Sequence, residues 1–391
     1  MFEMGNQTKQ VNLVRLFMSF LRLGLTAFGG PAMIAYIKEL SVNRNKWLDE
    51  ETFKDGVSLC QSIPGATAMQ MAAYVGLRSN GLIGALLSYT GFGLPAFTLM
   101  LMLSVAYVGA HELPFAVSLF NGLQVIVVAI IANATYSFGK GIFRNYRAII
   151  VALISAALLW LGVSPFVVIV GAALAGTLFF VNPVSPVVPT HLGKGNQSEL
   201  KQVMLLFFIF LAGLAVLYIA NIKLFKLATL MLKIDLFAFG GGFASVPLML
   251  HQIVDIRKWV DSKTFMDGIA LGQVTPGPIV ITATFVGYLM YGFAGAFVAT
   301  VAVFTPSFLI LTGVTPFFDR LKTSKYFVGA TKGILATFVG LLFYVTIKFA
   351  SAVPWDVVRV VLALGALIAL IKKIDILYVV LIGAVISLFI L

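Results

Sequence analysis

Apolar runs of roughly 15–25 residues follow one another along almost the whole chain, and this pattern constrains the fold more than any other feature. Only 11% of the residues are charged. Since a backbone inside a bilayer must satisfy its own hydrogen bonds, the runs predict an all-α polytopic membrane protein with about 10–13 transmembrane segments. Thirteen runs can be marked, at 13–37, 55–77, 82–108, 115–138, 148–161, 165–181, 203–221, 224–250, 265–289, 293–313, 327–348, 356–371 and 374–391.

The net charge of +12 has two interpretations, which are compatible with each other. Cationic loops attracted to anionic lipid on the cytoplasmic side explain it, and so does a positively charged path for an anionic solute. No nucleic-acid-binding signature accompanies the charge, so we expect membrane lipid and no nucleic acid as a partner. The first apolar run shows no signal-peptide cleavage site and is expected to remain as a span in the cell membrane.

The two halves of the chain resemble each other. LTAFGGPA at 25–32 aligns with LFAFGGGF at 236–243, and KWLDEETFKDGVSLCQSIPG at 46–65 aligns with KWVDSKTFMDGIALGQVTPG at 258–277. The offsets are 211 and 212 residues, and the identities include Trp, Phe, Asp-Gly, Gln and Pro-Gly. An internal duplication is therefore predicted. Its parts are a first transmembrane repeat at 1–181, a linker with a connecting helix at 182–221, and a second transmembrane repeat at 222–391.

The distribution of Lys and Arg predicts that the second repeat is inverted in the membrane. The loop 139–147 carries three cations and its counterpart 351–356 carries none, whereas 314–326 carries three and its counterpart 109–114 none. Because cations mark cytoplasmic loops, this reversal is typical of an inverted-topology repeat. The loop 38–54 disagrees, since its four cations fall on the side that this scheme places outside.

Two apolar runs are interrupted by Pro-Gly at equivalent positions, Pro64-Gly65 and Pro276-Gly277. Thr275 suits an N-cap and Pro276 suits the first position of a helix. A helix that restarts at such a break presents free N–H groups and the positive end of its dipole, which together form an anion site. The alternative is a simple kink whose hydrogen bonds are repaired by neighbouring helices. The repetition of the break favours a functional role.

Glutamines and glycines accompany these breaks. Gln61 and Gln273 lie three residues before the two prolines and offer amide donors. A second pair of interruptions, FGGPA at 28–32 and FGGGF at 239–243, permits either close helix packing or backbone exposed around a ligand. We expect interrupted helices that meet the Pro-Gly breaks.

Ionisable residues inside apolar runs are expensive, which makes them candidates for function. Arg22 and Lys233 occupy equivalent positions and would suit a divalent oxyanion, although snorkelling to the interface also explains them. Asp235 has ion pairing with Lys233 as its simplest role. Asp55 and Asp267 are also equivalent, and helix capping is favoured over proton carriage for both.

Taken together, the motifs resemble those of the chromate ion transporter family, long two-domain type. They are GLTAFGGP (24–31), LCQSIPG (59–65), FAFGGGFASVPL (237–248), ALGQVTPGP (270–278) and GYLMYGFAGAFVATVAVFTPS (287–307). The chain departs from the family pattern at Ile34, where members often have His, and at Ala66, where they often have Pro. The resemblance implies an inverted duplication and transport of chromate, with sulfate as its structural analogue.

The expected function is therefore secondary transport of a divalent oxyanion by alternating access. An oxyanion channel is the alternative, and an intramembrane enzyme is less favoured because no catalytic or phosphate-binding motif occurs. We expect no cofactor and no metal, and a homodimer is compatible with the sequence. The predicted substrate-binding residues are Arg22, Gly29, Gly30, Gln61, Pro64, Gly65, Lys233, Gly240, Gly241, Gly242, Gln273, Thr275, Pro276 and Gly277.

Overall fold

The computed structural model describes residues 11–28, 32–110, 113–142, 145–180 and 197–390, and these residues form helices without a β-strand. The predicted all-α class is confirmed. The helices are α1 (Leu13–Thr26), α2 (Ala32–Lys38), α3 (Glu50–Ser62), α4 (Thr67–Ala110), α5 (Pro114–Ile142), α6 (Tyr146–Trp160), α7 (Pro165–Phe179), α8 (Gln197–Ala220), α9 (Ile222–Leu236), α10 (Ser245–Met249), α11 (Ser262–Val274), α12 (Thr282–Val314), α13 (Phe318–Lys322), α14 (Lys325–Ala352), α15 (Val357–Ile371) and α16 (Ile376–Ile390).

Within the described residues, five helical segments are long and apolar enough to cross a membrane. They contain α4, α5, α8, α12 and α14. Five further apolar helices are shorter, among them α6, α7, α15 and α16 with 15 residues each. At about 1.5 Å per residue, these four are shorter than a hydrocarbon core of about 30 Å. The polytopic membrane class is confirmed, and the short helices form pairs.

The first apolar run forms a re-entrant hairpin instead of a single span. Helix α1 ends at Thr26 and the chain is helical again from Ala32. The return is shown by two contacts near the ends of the hairpin: Arg15 Nη2 donates to Asn45 Oδ1 at 2.9 Å, and the rings of Phe20 and Trp47 stack with centroids 6.2 Å apart. The chain therefore enters and leaves at the same end of the bundle.

A second re-entrant hairpin follows, built from α3 and the first part of α4. Gly56 of α3 lies directly against the ring of Tyr74 in α4, leaving no room for a Cβ. The backbone then turns sharply at Asn80 and Gly81, where Gly81 has φ of 62°. Asn80 Nδ2 donates to the carbonyl of Val11 at 2.7 Å, so this turn lies beside the start of α1. Gly292 makes the equivalent turn in α12, with φ of 58°.

We call helices α1 to α7 the first unit and helices α9 to α16 the second unit. The hairpins determine at which end of the bundle each unit begins and finishes. The rest of α4 leads away from the turn at Gly81 and α5 leads back, with the rings of Tyr107 and Phe120 5.0 Å apart near their connection. Helices α6 and α7 form a short pair, in which Arg147 Nη1 donates to the carbonyl of Phe179 at 2.8 Å. The first unit thus starts and finishes at one end of the bundle. Helix α8 begins beside Gly313 and leads to the opposite end, where α9 starts. This connectivity supports the inverted orientation, which stays a prediction.

The re-entrant hairpins also remove the disagreement over the loop 38–54. A re-entrant hairpin does not change the side of the membrane, so this loop lies at the same end as 139–147. The Nζ of Lys322, in the cationic segment 314–326, lies 3.8 Å from Oδ1 of Asp55 in the first half of α3, which places that segment at this end as well. Three cationic segments therefore share one end of the molecule, as the distribution rule for cytoplasmic loops requires.

The two units interlock. Helices α6 and α7 pack on α14 of the second unit, and α15 and α16 pack on α5 of the first. Thr135 and Thr346 are equivalent at the offset of 211, and their hydroxyl oxygens lie 3.2 Å apart. A direct contact between equivalent residues marks an approximate twofold axis between α5 and α14. At the interlock, Gly333 of α14 lies against the backbone of Ala172 in α7.

This contact gives a test of the interlock. We expect Gly333→Ala to lower thermal stability, because its new methyl group would overlap the Ala172 carbonyl, and overpacking typically costs about 1–3 kcal/mol. Gly365→Ala in α15 is the matched control, since a Cβ there meets open space. Thermal unfolding of the detergent-solubilised protein measures both. Equal melting temperatures for the two variants would contradict the packing described.

Candidate functional site

The interrupted helices of the two units meet, and their backbones form hydrogen bonds with each other. Gly65 N–H donates to the carbonyl of Ala238 at 2.9 Å, and Gly277 N–H donates to the carbonyl of Ala27 at 3.2 Å. The two bonds are equivalent in the two units. Both glycines have a left-handed φ, 118° and 119°, which other residues adopt only with strain. The Pro-Gly break of each unit is thus bonded to the chain just beyond the first helix of the other unit, and we call this arrangement the crossing.

The prediction that Thr275 is an N-cap and Pro276 the first helical residue is wrong. Thr275 ends α11, and its hydroxyl donates back to the carbonyl of Gly272 at 3.0 Å. Thr275 and Pro278 have extended backbone, Gly277 between them has a left-handed φ, and the next helical turn begins at Ile279. The physical reason is that Thr275 precedes a proline, and the residue before a proline is disfavoured in the α conformation.

A cavity of about 600 Å³ extends from the crossing to one end of the bundle. Its mouth is formed by the end of α5, the start of α6 and the end of α7, and its floor by the glycine segment before α10 and the starts of the helices after both Pro-Gly breaks. Its lining residues are Met33, Ile34, Gln61, Ala66, Thr67, Ala68, Phe138, Gly141, Ile142, Asn145, Ala148, Phe180, Gly240, Gly241, Gly242, Phe243, Pro278, Ile279, Lys332 and Leu335.

Some of the predicted site residues line this cavity, and others do not. Gln61 is exposed to the cavity, and Gly240, Gly241 and Gly242 form part of its floor. Gly29 and Gly30 lie outside the described residues. The predicted residues that do not line the cavity are Pro64, Gly65, Gln273, Thr275, Pro276 and Gly277, which belong to the crossing or precede it.

Neither predicted cation lines the cavity. Arg22 is exposed on α1, and Lys233 is exposed on α9 with its Nζ 4.0 Å from the centroid of the Phe166 ring. Asp235 does not pair with Lys233, contrary to the simplest interpretation of the sequence. It is buried on another face of α9, where it accepts the backbone N–H of Ser307 at 2.8 Å.

Lys332 supplies the positive charge that sequence reasoning assigned to other residues. It lies on α14, its side chain is exposed, and it lines the cavity. No described acidic side chain forms an ion pair with it. Thr67 and Asn145, which also line the cavity, add a hydroxyl and an amide. The signal that could have found Lys332 was its place inside the apolar run 327–348.

The capping role expected for Asp267 is wrong. Asp261 caps α11 instead, accepting the N–H of Thr264 at 2.7 Å, and Asp267 lies more than a turn inside the helix. The buried Asp267 carboxyl accepts the hydroxyl of Tyr107 at 2.9 Å and the amide of Gln124 at 2.8 Å. It therefore joins α11 to α4 and α5.

The fold and the cavity define a membrane protein with an internal cavity that is lined by a cationic side chain. Lys332 contributes a charge, and the start of α4 contributes N–H groups without intrahelical acceptors. No group of His, Cys, Asp and Glu suited to a metal ion occurs among the described residues.

Comparison with known proteins gives the family. The sequence model of the chromate transporter family matches residues 14–177 and again 225–388. The chain belongs to this family, whose members are membrane-integral transporters and not enzymes. The two matched ranges are offset by 211 residues, the same offset as the internal repeat.

Relatives cover almost the full chain. An uncharacterized transporter of Methanocaldococcus jannaschii is 47% identical over 96% of this chain and 93% of its own. The chromate transport protein of Cupriavidus metallidurans is 30% identical over 92% of this chain and 88% of its own, and that of Pseudomonas aeruginosa is 29% identical over 86% and 81%. No solved structure matches the chain.

The cavity predicts selective labelling by a charged thiol reagent. Gly141→Cys should react, because residue 141 lines the cavity and a Cβ there meets open space. Gly171→Cys on α7 is the matched control: its Cβ also meets open space, but it lies outside the cavity on an apolar helix, where lipid suppresses the thiolate. The native Cys60 is buried. Equal labelling of both variants would contradict a water-filled cavity.

Proposed function

We propose that the protein is a secondary transporter that carries chromate across the cell membrane by alternating access. The relatives named as chromate transport proteins support the substrate. The observation that carries the mechanism is the cavity, which opens at one end of the bundle and stops at the crossing. A carrier in one of its two orientations presents such a vestibule.

The oxyanion binds where the cavity meets the crossing. Lys332 supplies a positive charge, and Gln61 and Thr67 supply hydrogen-bond donors. The N-terminal end of α4 adds free N–H groups and the positive end of the helix dipole. A tetrahedral dianion that has lost its hydration shell needs donors from several directions, and these groups approach from α3, α4 and α14.

The same groups accept sulfate. Sulfate has the charge and tetrahedral shape of chromate, and nothing in a set of amides, a hydroxyl and an ammonium group distinguishes the central atom. We therefore propose sulfate as a competing substrate. Competition between the two anions in a flux assay follows from this account.

Movement of the crossing provides alternating access. Backbone hydrogen bonds hold the Pro-Gly breaks, Gly65 to Ala238 and Gly277 to Ala27, so that each unit holds one break of the other. Rocking of the units about the approximate twofold axis closes one vestibule and opens its equivalent. The channel alternative requires a continuous path, whereas buried Ile63 and Ile279 stand beside the breaks where the cavity stops.

The cation assignment gives the test of this proposal. Lys332→Gln should weaken chromate binding about 10- to 100-fold, because a charged hydrogen bond contributes about 1.5–3 kcal/mol. Lys233→Gln should leave binding close to that of the wild type, since Lys233 lies over Phe166 outside the cavity. Chromate counterflow in proteoliposomes at varied substrate concentration measures both variants.

Lys325→Gln is a further control on α14, because Lys325 lies over the ring of Tyr326 and does not line the cavity. A greater loss of chromate binding in the Lys233 variant than in the Lys332 variant would contradict this assignment and favour Lys233, the cation predicted from the sequence. Ohmic current without counterflow would favour the channel.

A further inference from the structure

Asp235 is a buried carboxyl group for which the proposed oxyanion site has no use. It lies on α9 and is 1% exposed. Its Oδ2 accepts the N–H of Ser307 at 2.8 Å, and its Oδ1 has no hydrogen-bond partner among the described residues. An orphaned carboxyl oxygen in a membrane interior requires a physical explanation.

The groups that face Asp235 offer no compensating charge. Tyr89 of α4 approaches through Ser307, with its hydroxyl 3.1 Å from Ser307 Oγ, and donates to the carbonyl of Phe304. Lys233, on α9 itself, lies over Phe166. Helices α8, α10 and α12 pack against α9. Their ionisable side chains among the described ones are Lys201 and Tyr218 of α8 and Tyr288 and Tyr291 of α12, whereas α10 has none.

The protonation state of this carboxyl follows from its surroundings. An ionised carboxylate in a dry interior costs several kcal/mol unless a cation or several donors compensate it, and Asp235 has one backbone donor. The neutral acid is therefore the stable form while the surrounding helices are packed against it. Loss of the proton requires water to reach the group, and hence requires the surrounding helices to separate.

Asp235 is connected to the crossing on two sides. Three residues further along the chain, Ala238 accepts the Gly65 N–H. Ser307, which donates to Asp235, lies so close to Gly65 that a Cβ on that glycine would overlap it. Separation of the crossing would expose Asp235 to water, and ionisation of Asp235 would favour the separated arrangement.

The position is also specific to one unit. At the offset of 211, the first unit has Gly24, which lies against the backbone of Phe92 with no room for a side chain. The second unit therefore has a carboxyl beside the crossing where the first unit has close helix packing. This asymmetry gives one carboxyl of this kind for each oxyanion site.

We propose that Asp235 is the proton-binding group of a proton–oxyanion symport, an inference that rests on the proposed function. Gly240, five residues beyond Asp235, lines the cavity, so a bound dianion disfavours a second negative charge at residue 235. Oxyanion and proton consequently bind to the same state. On one side a hydronium ion gives its proton to the carboxylate, which forms the O–H bond and leaves water; on the other side a water molecule takes the same proton and becomes hydronium, with no electron transferred.

Chromate flux in proteoliposomes tests this assignment in two modes. With the membrane potential held at zero and sodium absent, an imposed pH gradient should drive wild-type accumulation of about tenfold per pH unit if one proton moves with each anion. Asp235→Asn, which resembles the neutral acid, should lose this accumulation and keep chromate–chromate exchange at equal pH. Asp55→Asn is the matched control and should behave as the wild type, since Asp55 lies near Lys322 in a partly exposed position.

The outcomes separate the two proposals. Accumulation driven by the pH gradient in the Asp235→Asn variant overturns the proton assignment, and so does a wild type that responds to sodium and not to pH. In either case, chromate–chromate exchange by the wild type would still support the proposed transport function. Loss of exchange in both Asp235→Asn and Asp235→Glu assigns the residue a packing role and also overturns it. Recovery of both modes in Asp235→Glu supports it. A wild type without exchange contradicts the proposed function itself.

Discussion

The structure depends on the rule that backbone polar groups inside a bilayer need partners within the protein. A helix that stops in the middle of the membrane leaves backbone groups without partners. Here the two interrupted helices supply each other with these partners. The N–H of Gly65 donates to the carbonyl of Ala238, and the N–H of Gly277 donates to the carbonyl of Ala27. Duplication makes the solution available, because each unit supplies the acceptor that the other lacks. The cavity, the helix starts on its floor and the carboxyl of Asp235 are all arranged around these two bonds.

The sequence predicted where the helices are interrupted, but it did not predict which helices cross the membrane and which turn back. The positions of the breaks and the offset between the halves could be found from composition and identity, because prolines and glycines are incompatible with a continuous helix. Re-entrant hairpins could not be found in this way, since a run such as 13–37 has the same composition whether it crosses the membrane or turns back between α1 and α2. This is why the loop 38–54 seemed to contradict the charge distribution and why the fold removes the contradiction.

The site shows the same division. Gln61 and the glycines at 240–242 line the cavity, as the repeated motifs had predicted. Symmetry could identify them because their motifs occur in both units and meet at the crossing. Lys332 and Asp235 have no charged counterparts in the other unit, where the equivalent residues are Asn121 and Gly24. Reasoning from symmetry therefore favoured Arg22 and Lys233 over Lys332. The positions at which the repeats differ are those that can supply a single positive charge and a single proton to a site shared by both units.

The central claim is that the two units meet at the crossing from opposite sides of the membrane. Lys46 and Lys258 test it most directly: they are equivalent at the offset of 212, both are exposed, and both have a left-handed φ, 53° and 51°. Each is replaced by cysteine in turn and labelled in intact cells with a membrane-impermeant thiol reagent, with the buried Cys60 as the sole native thiol. The account predicts that Lys258→Cys reacts from outside and that Lys46→Cys reacts only after the cytoplasmic face is opened. Labelling of both from the same side would contradict it.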